Sequence, residues 1–590
     1  MCGILGHIEL SKHINQEVFN QMLNTLIHRG PDDSGVFMNA NHNIALGHRR
    51  LSFLDLSEAG KQPLYNADKT IWITFNGEIY NYLEIKEELK SCYSFTSKTD
   101  TEVILAAYQT WGIEFVHKLK GMFAFALYDE IQKKIYLVRD RFGIKPLYYF
   151  KQNNTIIFAS EIKAIMASGL VSKTIDYTAF ADYFVYRYIP SPKTIWQNIY
   201  KVPPATYLEI DTTTLNLTEN EYWKLKSQTN QIDTNNFIAD IGSILTQSVK
   251  EHTRADVPVG SFLSGGYDSS ALVHYMKSLG QNPKTFSIGF SNWEKSEDQF
   301  AKIVAEYLQV ENEAIVVDEK SLAYVDSMPD VYDEPIADIS IIPTYLVSKL
   351  ARKKVKAVLS GEGADEIFGG YTWQHDFMER QSKNNWIKKL FGKKAEKDTV
   401  SFYAKAMAMG WFDQEELKRM LHPHLHSSIP EDVHWFYRKH FNNSLSPLKS
   451  IQYLDMKCFM AELVLTKVDR ASMANSLEVR VPFLDHTLFE KVFSVSEKVY
   501  YKRTQTKFLL FENIKRFLPE RILARKKQGF VGPDAYYMDI EFYKQQLSNS
   551  ALVKHQIIRQ EYLDELLKET YNWKLWKILI MEKWFRRWIE

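Results

Sequence analysis

The loop that decides the fold of this chain lies near its middle and reads Ser264-Gly265-Gly266-Tyr267-Asp268-Ser269-Ser270. An apolar run, Val257–Leu263, precedes the loop, and a helix-like segment, Ala271–Met276, follows it. A glycine-rich loop between a strand and a helix N-terminus presents backbone N–H groups and hydroxyls to a phosphate chain. We therefore predict a phosphate-binding loop; an ordinary Gly-Ser turn in a βα connection is the simpler alternative.

The loop differs from a Walker A motif because no Gly-Lys-Ser/Thr follows its glycines. The lysine that would neutralise phosphate is therefore missing, and Asp268 is a candidate ligand for Mg²⁺ instead. Cations have to come from elsewhere in the fold, and Lys467 and Arg470 are the candidates. Without such a role, both residues would belong to a solvated helix face.

Segments around this loop alternate between strand, loop and helix. Thr285–Phe290 and Lys356–Leu359 are further strand-like runs, and the second ends in Ser360-Gly361-Glu362-Gly363. Such alternation predicts a parallel α/β sheet whose ligand binds at the carboxyl ends of the strands. From about residue 374 onward the pattern is mostly helical.

The first 205 residues or so have a different, α+β character. Helical patterns there alternate with short aromatic and β-branched runs, which predict strands at Ile71–Phe75, Met122–Tyr128, Lys134–Val138 and Leu147–Phe150. We predict packed sheets with flanking helices. A polar stretch marks the boundary, so we expect one domain at 1–210, a linker at 211–236 and a second domain at 237–590.

Composition excludes several classes of protein. The 73 Lys and Arg residues nearly balance 72 Asp and Glu, so the overall charge favours neither nucleic acid nor an anionic membrane as a partner. Three cysteines, at positions 2, 92 and 458, show no disulfide or metal pattern. The sequence has no signal peptide and no apolar run long enough to span a membrane, so we expect a cytoplasmic protein.

The N-terminus supplies a candidate nucleophile. Cys2 becomes the first residue once Met1 is removed, and its α-amine, with an ordinary pKa of about 7.7–8.0, is then a base beside its own thiol. The resulting thiolate can attack the carbon of a side-chain amide and release ammonia. The alternative is a small residue that merely permits removal of Met1.

Other polar residues of the first half suit the same chemistry. Asn76 and Gly77 lie between two β-like runs, which predicts a tight turn that presents an amide side chain and an N–H toward one point. Such donors stabilise a tetrahedral oxyanion. An amino-acid substrate also needs a cation for its carboxylate, for which Arg50 is the candidate, and an anion for its ammonium, for which Glu78 and Asp100 are candidates.

These residues belong to a series of segments that resembles the glutaminase domain of class II glutamine amidotransferases. The matching segments are Cys2-Gly3-Ile4, His28–Asp32, Arg50-Leu51-Ser52, Asn76–Asn81, Asp100, Asp140–Tyr149 and Ala159–Lys163. The resemblance implies an N-terminal-nucleophile hydrolase fold, a four-layer αββα sandwich. It also implies that Cys2 is the nucleophile, that Arg50 and Asp100 hold glutamine, and that Arg29–Asp32 is a turn in a loop that closes over it.

The second half resembles the ATP-pyrophosphatase-type synthetase domain of glutamine-hydrolysing asparagine synthetases. The matching segments include Asp256–Gly260, Thr285–Phe290, Ser360–Tyr371, Lys467–Ala474 and Glu478–Asp485. The resemblance implies that ATP adenylates the side chain of aspartate and releases pyrophosphate, after which ammonia displaces AMP to give asparagine. An internal passage would carry the ammonia between the two domains.

The same resemblance implies roles for individual residues. Ser264–Ser270 would bind pyrophosphate, Ser360 and Gly361 would border the nucleotide, Glu362 would take a proton from the attacking ammonium, and Asp365 would help to hold aspartate. The implied partners are glutamine, aspartate and ATP with Mg²⁺, without nucleic acid or membrane, and a homodimer is compatible with the resemblance.

One departure concerns the acceptor. Some family members carry Thr-Thr-x-Arg-Ala where this chain reads Ala337-Asp338-Ile339-Ser340-Ile341-Ile342-Pro343, so no arginine is present there to bind the α-carboxylate of aspartate. Either another cation binds it, or the same chemistry amidates a different acid, such as a sugar acid or a peptide carboxylate. An RNA-modifying enzyme and an inactive glutamine sensor are more distant alternatives. Balanced charge opposes the first, and the retained Cys2, Asn76 and Glu362 oppose the second.

Overall fold

The computed structural model describes residues 2–590 except 231, 392–394, 526–527, 530–531, 569 and 571, and it describes no side chain within 383–398. Met1, whose removal the sequence predicts, thus lies outside the described residues. The strands of the first domain are β1 (Gly3–Glu9), β2 (Asp33–Met38), β3 (Ile44–Arg50), β4 (Leu64–Tyr65), β5 (Ile71–Ile79), β6 (Gly121–Asp129), β7 (Lys134–Arg139), β8 (Tyr148–Gln152), β9 (Thr155–Ala159), β10 (Ile199–Lys201), β11 (Thr206–Asp211) and β12 (Leu217–Glu221).

These strands form two antiparallel sheets that pack face to face. The first sheet has the strand order β10-β8-β9-β1-β3-β2, and the second has the order β12-β11-β7-β6-β5-β4. Side chains of the two inner faces form one buried cluster, to which the first sheet contributes Ile4 and Leu46 and the second contributes Ala126 and Leu137. Alternation along each strand sends the remaining side chains to the outer faces.

Helices cover both outer faces and complete the αββα sandwich, which confirms the predicted fold of this domain. They are α1 (Gln16–Asn24), α2 (Tyr82–Leu89), α3 (Asp100–Trp111), α4 (Ile162–Met166) and α5 (Tyr177–Tyr186). Helices α1 and α4 contact the first sheet, and α3 contacts the second. Helix α3 begins where the Thr99 side chain accepts a hydrogen bond from the N–H of Glu102, an N-cap that also orients Asp100 in the first turn.

The predicted turn at Asn76-Gly77 is wrong. Both residues lie inside β5, opposite Ala124 and Phe123 of β6. A Cβ on Gly77 would lie 2.1 Å from the carbonyl oxygen of Met122, so glycine is required here for close approach of two backbones rather than for a turn.

The predicted linker is partly sheet. Leu217–Glu221 forms β12 and pairs with β11, so it extends the second sheet of the first domain. Its polar composition reflects its place at the sheet edge, where its side chains are intermediate or exposed. Only the residues between Glu221 and the helix that begins at Thr234 connect the two domains.

The second domain is built on a parallel sheet, as predicted. Its strands are β13 (Val259–Phe262), β14 (Thr285–Phe290), β15 (Asn312–Val317), β16 (Ala357–Leu359) and β17 (Glu478–Arg480), in the order β15-β14-β13-β16-β17. The chain leaves β13 to one side for β14 and returns to the other side for β16. The loops after β13 and β16 therefore meet at the switch point, where open α/β sheets bind ligands.

Helices flank this sheet and make up most of the C-terminal part. They are α6 (Thr234–His252), α7 (Tyr267–Ser278), α8 (Glu297–Leu308), α9 (Met328–Tyr332), α10 (Ile341–Arg352), α11 (Ala364–Phe368), α12 (Thr372–Phe391), α13 (Ala395–Met407), α14 (Gln414–Met420), α15 (Trp435–His440), α16 (Pro447–Leu454), α17 (Leu465–Met473), α18 (His486–Phe493), α19 (Glu497–Tyr500), α20 (Phe508–Ile514), α21 (Glu520–Leu523), α22 (Asp534–Tyr537), α23 (Ile540–Leu547), α24 (Ala551–Lys554), α25 (Gln560–Lys568) and α26 (Trp573–Trp588).

A π-helix, Asp455–Val464, joins α16 to α17. π-Helical segments are rare and frequently occur at functional sites. Throughout the described ranges, no helix has both the length and the apolar character needed to cross a bilayer.

Candidate active sites

Cys2 immediately precedes β1 and is buried. Its backbone N–H donates a 2.9 Å hydrogen bond to Asn76 Oδ1, and its Sγ is 4.0 Å from the carbonyl oxygen of Leu51. Burial raises the pKa of the Cys2 thiol above its ordinary value. A thiol in this environment needs a nearby base to become a nucleophile, because the thiolate is the reactive form.

Asn76 supplies a donor beside this thiol. Its Nδ2 is buried and has no hydrogen-bond partner among the described residues. A buried amide donor without an acceptor is unfavourable unless a ligand uses it. Asn76 Oδ1 already accepts from the Cys2 backbone, so the orientation of the amide leaves Nδ2 available to an oxyanion formed next to Sγ.

A small cavity of about 30 Å³ adjoins the thiol and is lined by Cys2, Arg50, Leu51, Phe53, Leu54, Gly60, Gln62, Phe75, Gly77, Glu78, Thr99, Asp100 and Thr101. The structure thus brings together the residues that the sequence predicted for glutamine. The Arg50 guanidinium donates to the carbonyl oxygens of Ser57, Leu54 and Asp55. A cavity of this volume holds only one or two water molecules.

Two buried carboxylates, Glu78 and Asp100, line the same cavity. Burial raises the pKa of Asp100 to about 6, against the opposing hydrogen bond from the N–H of Ile79. Burial likewise raises the pKa of Glu78 well above its ordinary value, against the nearby Arg480. Both groups are poised to become stable anions when an ammonium group arrives.

The segment predicted as a closing loop, Arg29–Asp32, is held against the second domain. Arg29 is fully buried and donates to the carbonyl oxygen of Cys2 and to both carboxylate oxygens of Asp469. Asp32 forms a 2.6 Å ion pair with Lys356. Arg29 therefore connects the nucleophile directly to helix α17 of the second domain.

A cavity of about 560 Å³ lies at the switch point of the parallel sheet, and Ser264–Ser269, Ser360, Gly361, Glu362, Asp365 and Lys467 are among its lining residues. This volume is typical of small-molecule sites. Gly265 has φ +71°, a backbone conformation that favours glycine. A Cβ on Gly361 would lie only 2.9 Å from Cβ of Asp268, so that position has little room for a side chain. Ser270 is buried behind the wall, and its Oγ has no partner among the described residues.

Asp268 is the candidate Mg²⁺ ligand, and its surroundings fit that role. Oδ1 is buried and without a hydrogen-bond partner in the described part of the chain, while Oδ2 pairs with Lys507. Mg²⁺ is commonly held by one or two carboxylates together with substrate phosphates rather than by an all-protein cage. Accordingly, no cluster of three or more His, Cys, Asp or Glu ligands occurs among the described residues.

Glu362 and Asp365 follow β16 on the same wall. Glu362 Oε2 is buried and finds no hydrogen-bond partner within the described residues, which leaves it available to a ligand. Asp365 Oδ1 forms a 2.8 Å ion pair with Lys507, so the same ammonium bridges Asp365 and Asp268. The two carboxylates assigned to metal and acceptor are thereby adjacent.

The two candidate cations have different places. Lys467 lines the large cavity and donates to Ser340 Oγ at 2.6 Å. Arg470 is not there: it is fully buried and forms ion pairs with Glu161 at 3.2 Å and Asp333 at 2.6 Å. The two residues are three positions apart on α17 and therefore lie close together on the helix surface, but the ion pairs with Glu161 and Asp333 hold Arg470 at the domain interface.

The sequence pattern did not single out Lys507, Arg525 or Arg187, which also line the large cavity. Lys507 and Arg525 come from segments more than 200 residues after the loop that they contact, and Arg187 comes from the other domain. No local motif marks these positions, because only tertiary folding brings them to the cavity.

An N-terminal thiol beside an amide donor in an αββα sandwich, joined to an ATP-type loop at the switch point of a parallel sheet, defines a glutamine-dependent, ATP-consuming amidotransferase. The family model named Glutamine amidotransferase domain matches residues 1–223, and the model named Asparagine synthase matches residues 240–586. The chain belongs to the asparagine synthase family.

Individual relatives agree with this membership. The chain is 34% identical to glutamine-hydrolysing asparagine synthetase 1 of Bacillus subtilis, over 99% of this chain and 96% of the relative. It is 31% identical to asparagine synthetase 3 of the same organism, over 96% and 93% of the two chains. A protein named amidase chry2 of Gibberella zeae is 29% identical, over 91% of this chain and 90% of the relative.

Proposed function

We propose that the protein takes ammonia from glutamine at Cys2 and transfers it to the side-chain carboxylate of aspartate, which ATP activates in the large cavity. The products are glutamate, AMP, pyrophosphate and asparagine. Membership in the asparagine synthase family supports the overall reaction, and the site geometry supports the division of labour between the domains.

The observation that carries this proposal is the position of α17. Lys467 and Val468 on this helix line the large cavity, while the next residue, Asp469, binds Arg29. Arg29 in turn binds the carbonyl oxygen of Cys2. One helix therefore borders the large cavity and, through Arg29, contacts the residue that carries the candidate nucleophile.

In the first half-reaction, Cys2 Sγ attacks the side-chain amide carbon of glutamine. The α-amine of Cys2, freed by removal of Met1, takes the thiol proton, and Asn76 Nδ2 with the Gly77 N–H stabilises the oxyanion. Collapse of the tetrahedral intermediate expels ammonia, and water then hydrolyses the thioester to glutamate. Arg50 holds the α-carboxylate of glutamine, and Glu78 with Asp100 holds its ammonium.

In the second half-reaction, the aspartate side chain attacks the α-phosphorus of ATP and pyrophosphate leaves. The backbone N–H groups and hydroxyls of Ser264–Ser270 hold the departing pyrophosphate, with Ser360 and Gly361 at the nucleotide. Mg²⁺, held by Asp268, would neutralise charge on the phosphates. Lys507 and Lys467 provide the fixed positive charge that the loop itself lacks.

Amide formation needs a base, because ammonia becomes positively charged as it attacks the acyl-adenylate. Glu362 is suited to accept that proton, since the residue lines the cavity and its Oε2 lacks another partner among the described residues. Asp365, which pairs with Lys507, would help to hold the acceptor.

The decisive test is pyrophosphate release with ATP and glutamine across a panel of carboxylic acids. We expect turnover with aspartate and little with sugar acids or peptides; turnover with another acid alone would reject aspartate as the acceptor. We also expect Cys2→Ala to abolish glutamine-dependent synthesis but to retain synthesis with added ammonium, since the two sites lie in separate domains.

A cytoplasmic location and a homodimer remain predictions. The first would be tested by fractionation and the second by sedimentation of the purified protein at several concentrations.

A further inference from the structure

Arg187 belongs to the first domain but lines the large cavity of the second. It caps helix α5 in the left-handed conformation, φ +73°, and its N–H donates to the carbonyl oxygen of Tyr183. Its own carbonyl oxygen accepts a 2.9 Å hydrogen bond from the N–H of Ala337. This backbone contact joins Arg187 to the segment where the sequence lacks an arginine for the acceptor.

The guanidinium of Arg187 has no ion pair and no side-chain hydrogen bond among the described residues. Its Nε is buried without a partner, and its Cζ lies 5.6 Å from the centroid of the Phe459 ring. Phe459 belongs to the π-helix and also lines the cavity. A partly buried cation that lacks a counter-ion is unfavourable by itself, so a site of this kind suits an anionic ligand.

The other cations of the cavity are already engaged. Lys507 pairs with Asp268 and Asp365. Arg525 donates to the carbonyl oxygen of Ser264 and lies 3.5 Å from Glu297. These two residues therefore contact the side of the cavity that carries the phosphate-binding loop.

Lys467 and Arg187 lie near the part of the cavity wall formed by residues 338–340. Lys467 donates to Ser340 and is 3.5 Å from Asp338. Burial would raise the pKa of Asp338, but Lys467 and then Arg187 hold it below its ordinary value, which places both positive charges close to this carboxylate. Arg187 is the cavity cation that, within the described residues, has no anion of its own.

We propose that Arg187 binds the carboxylate of the acceptor that does not react, and so selects an acid with two carboxylates. This inference rests on the proposed function. A planar guanidinium can donate two parallel hydrogen bonds to a carboxylate, and the Phe459 ring on one face would keep its plane in place. A sugar acid or a peptide with a single carboxylate would leave Arg187 unpaired, whereas aspartate satisfies it through its α-carboxylate.

The test uses ammonium as the nitrogen source, so that the glutaminase site is not involved. We expect Arg187→Gln to lower kcat/KM for aspartate about 100-fold, mainly through KM, with the KM for ATP changed less than about threefold. Arg187→Lys keeps the charge but loses the two-pronged geometry and should fall between the two proteins. Unchanged hydrolysis of glutamine by both variants shows that the fold is intact.

A second measurement tests the contribution of the α-carboxylate of aspartate by itself. 3-Aminopropanoate is aspartate without its α-carboxylate, and succinate is aspartate without its amine. As inhibitors of aspartate turnover, succinate should bind the Arg187→Gln protein more weakly than the wild type, whereas 3-aminopropanoate should bind both equally. Equal weakening of the two inhibitors, or a rise in KM for ATP instead of aspartate, would overturn the role of Arg187.

Failure of the proposed function can be distinguished from failure of the Arg187 proposal. If the wild type ignores aspartate but amidates another acid, the acceptor assignment is wrong, and the same variants are then compared with that acid. An acid with one carboxylate would refute the Arg187 proposal as well. An acid with two carboxylates, turned over equally by wild type and Arg187→Gln, would refute it too, while selective loss in the variant would support it.

Discussion

Arg480 Nη2 lies 3.0 Å from Glu78 Oε1, and both side chains are buried. Arg480 is in the edge strand of the parallel sheet, whereas Glu78 lines the cavity beside Cys2. The same guanidinium is 2.5 Å from Glu478 and donates to the carbonyl oxygens of His252 and Arg254. The second domain thus supplies a counter-ion to the candidate glutamine site of the first.

We predict that Arg480→Gln raises the KM for glutamine about ten- to 100-fold. Burial already raises the pKa of Glu78, and removal of the opposing cation raises it further, which weakens the pairing of Glu78 with the ammonium of glutamine. Glutamate release at varied glutamine concentration measures the effect. Synthesis from ammonium should be nearly unchanged, because Arg480 holds Ser360 through its backbone carbonyl. Equal loss with both nitrogen sources would contradict this account.

Asn76→Ala should reduce the kcat of glutamine hydrolysis by about 10²–10³. The substitution removes the Nδ2 donor and also the acceptor for the Cys2 backbone N–H. Steady-state glutaminase assays test the loss, with ammonium-dependent synthesis as the internal control. A variant with normal hydrolysis would show that another donor stabilises the oxyanion.

Glutamine binding should weaken at acid pH. Burial raises the pKa of Asp100 to about 6, so the carboxylate becomes protonated as pH falls through 6 and then no longer pairs with an ammonium. Calorimetry with the Cys2→Ala protein, which binds but cannot react, should give a Kd that rises as pH falls, by up to about tenfold per unit below pH 6. Asp100→Asn should bind weakly at every pH. A flat profile for the protein that retains Asp100 would refute its role.

Asp268→Asn should abolish synthesis from both glutamine and ammonium while leaving glutamine hydrolysis intact. The change preserves the size of the side chain but removes the charge that we assign to Mg²⁺ and that pairs with Lys507. Pyrophosphate release over a Mg²⁺ titration measures the effect, and Asp365→Asn provides a neighbouring comparison. Full ammonium-dependent turnover by Asp268→Asn would show that Asp268 has no role in synthesis.

Much of the fold could be predicted because its signals are local. The strand Thr285–Phe290 was predicted with the bounds that the structure shows, since an apolar run between polar segments needs no tertiary information. The turn predicted at Asn76-Gly77 was wrong because that prediction also used local sequence alone. As a dipeptide it is typical of hairpin turns, and the close approach of Met122, which requires glycine within a strand, is not visible in the sequence.

The candidate sites also combine features that the sequence reveals with features that only the tertiary structure reveals. Cys2 and the loop at 264–270 are contiguous motifs, so their chemistry follows from residue type and order. By itself, the sequence indicated packed sheets in the first domain, a parallel sheet in the second and two kinds of candidate chemistry, and its resemblance to the amidotransferases implied the sandwich. Only the tertiary structure decided which charged groups become neighbours. Lys467 lines the cavity, whereas Arg470 lies at the domain interface. Arg187 and Arg480 each contribute a charge to the candidate site of the other domain. Electrostatic partners are set by distance in space, and residues hundreds of positions apart become neighbours only when the two domains pack.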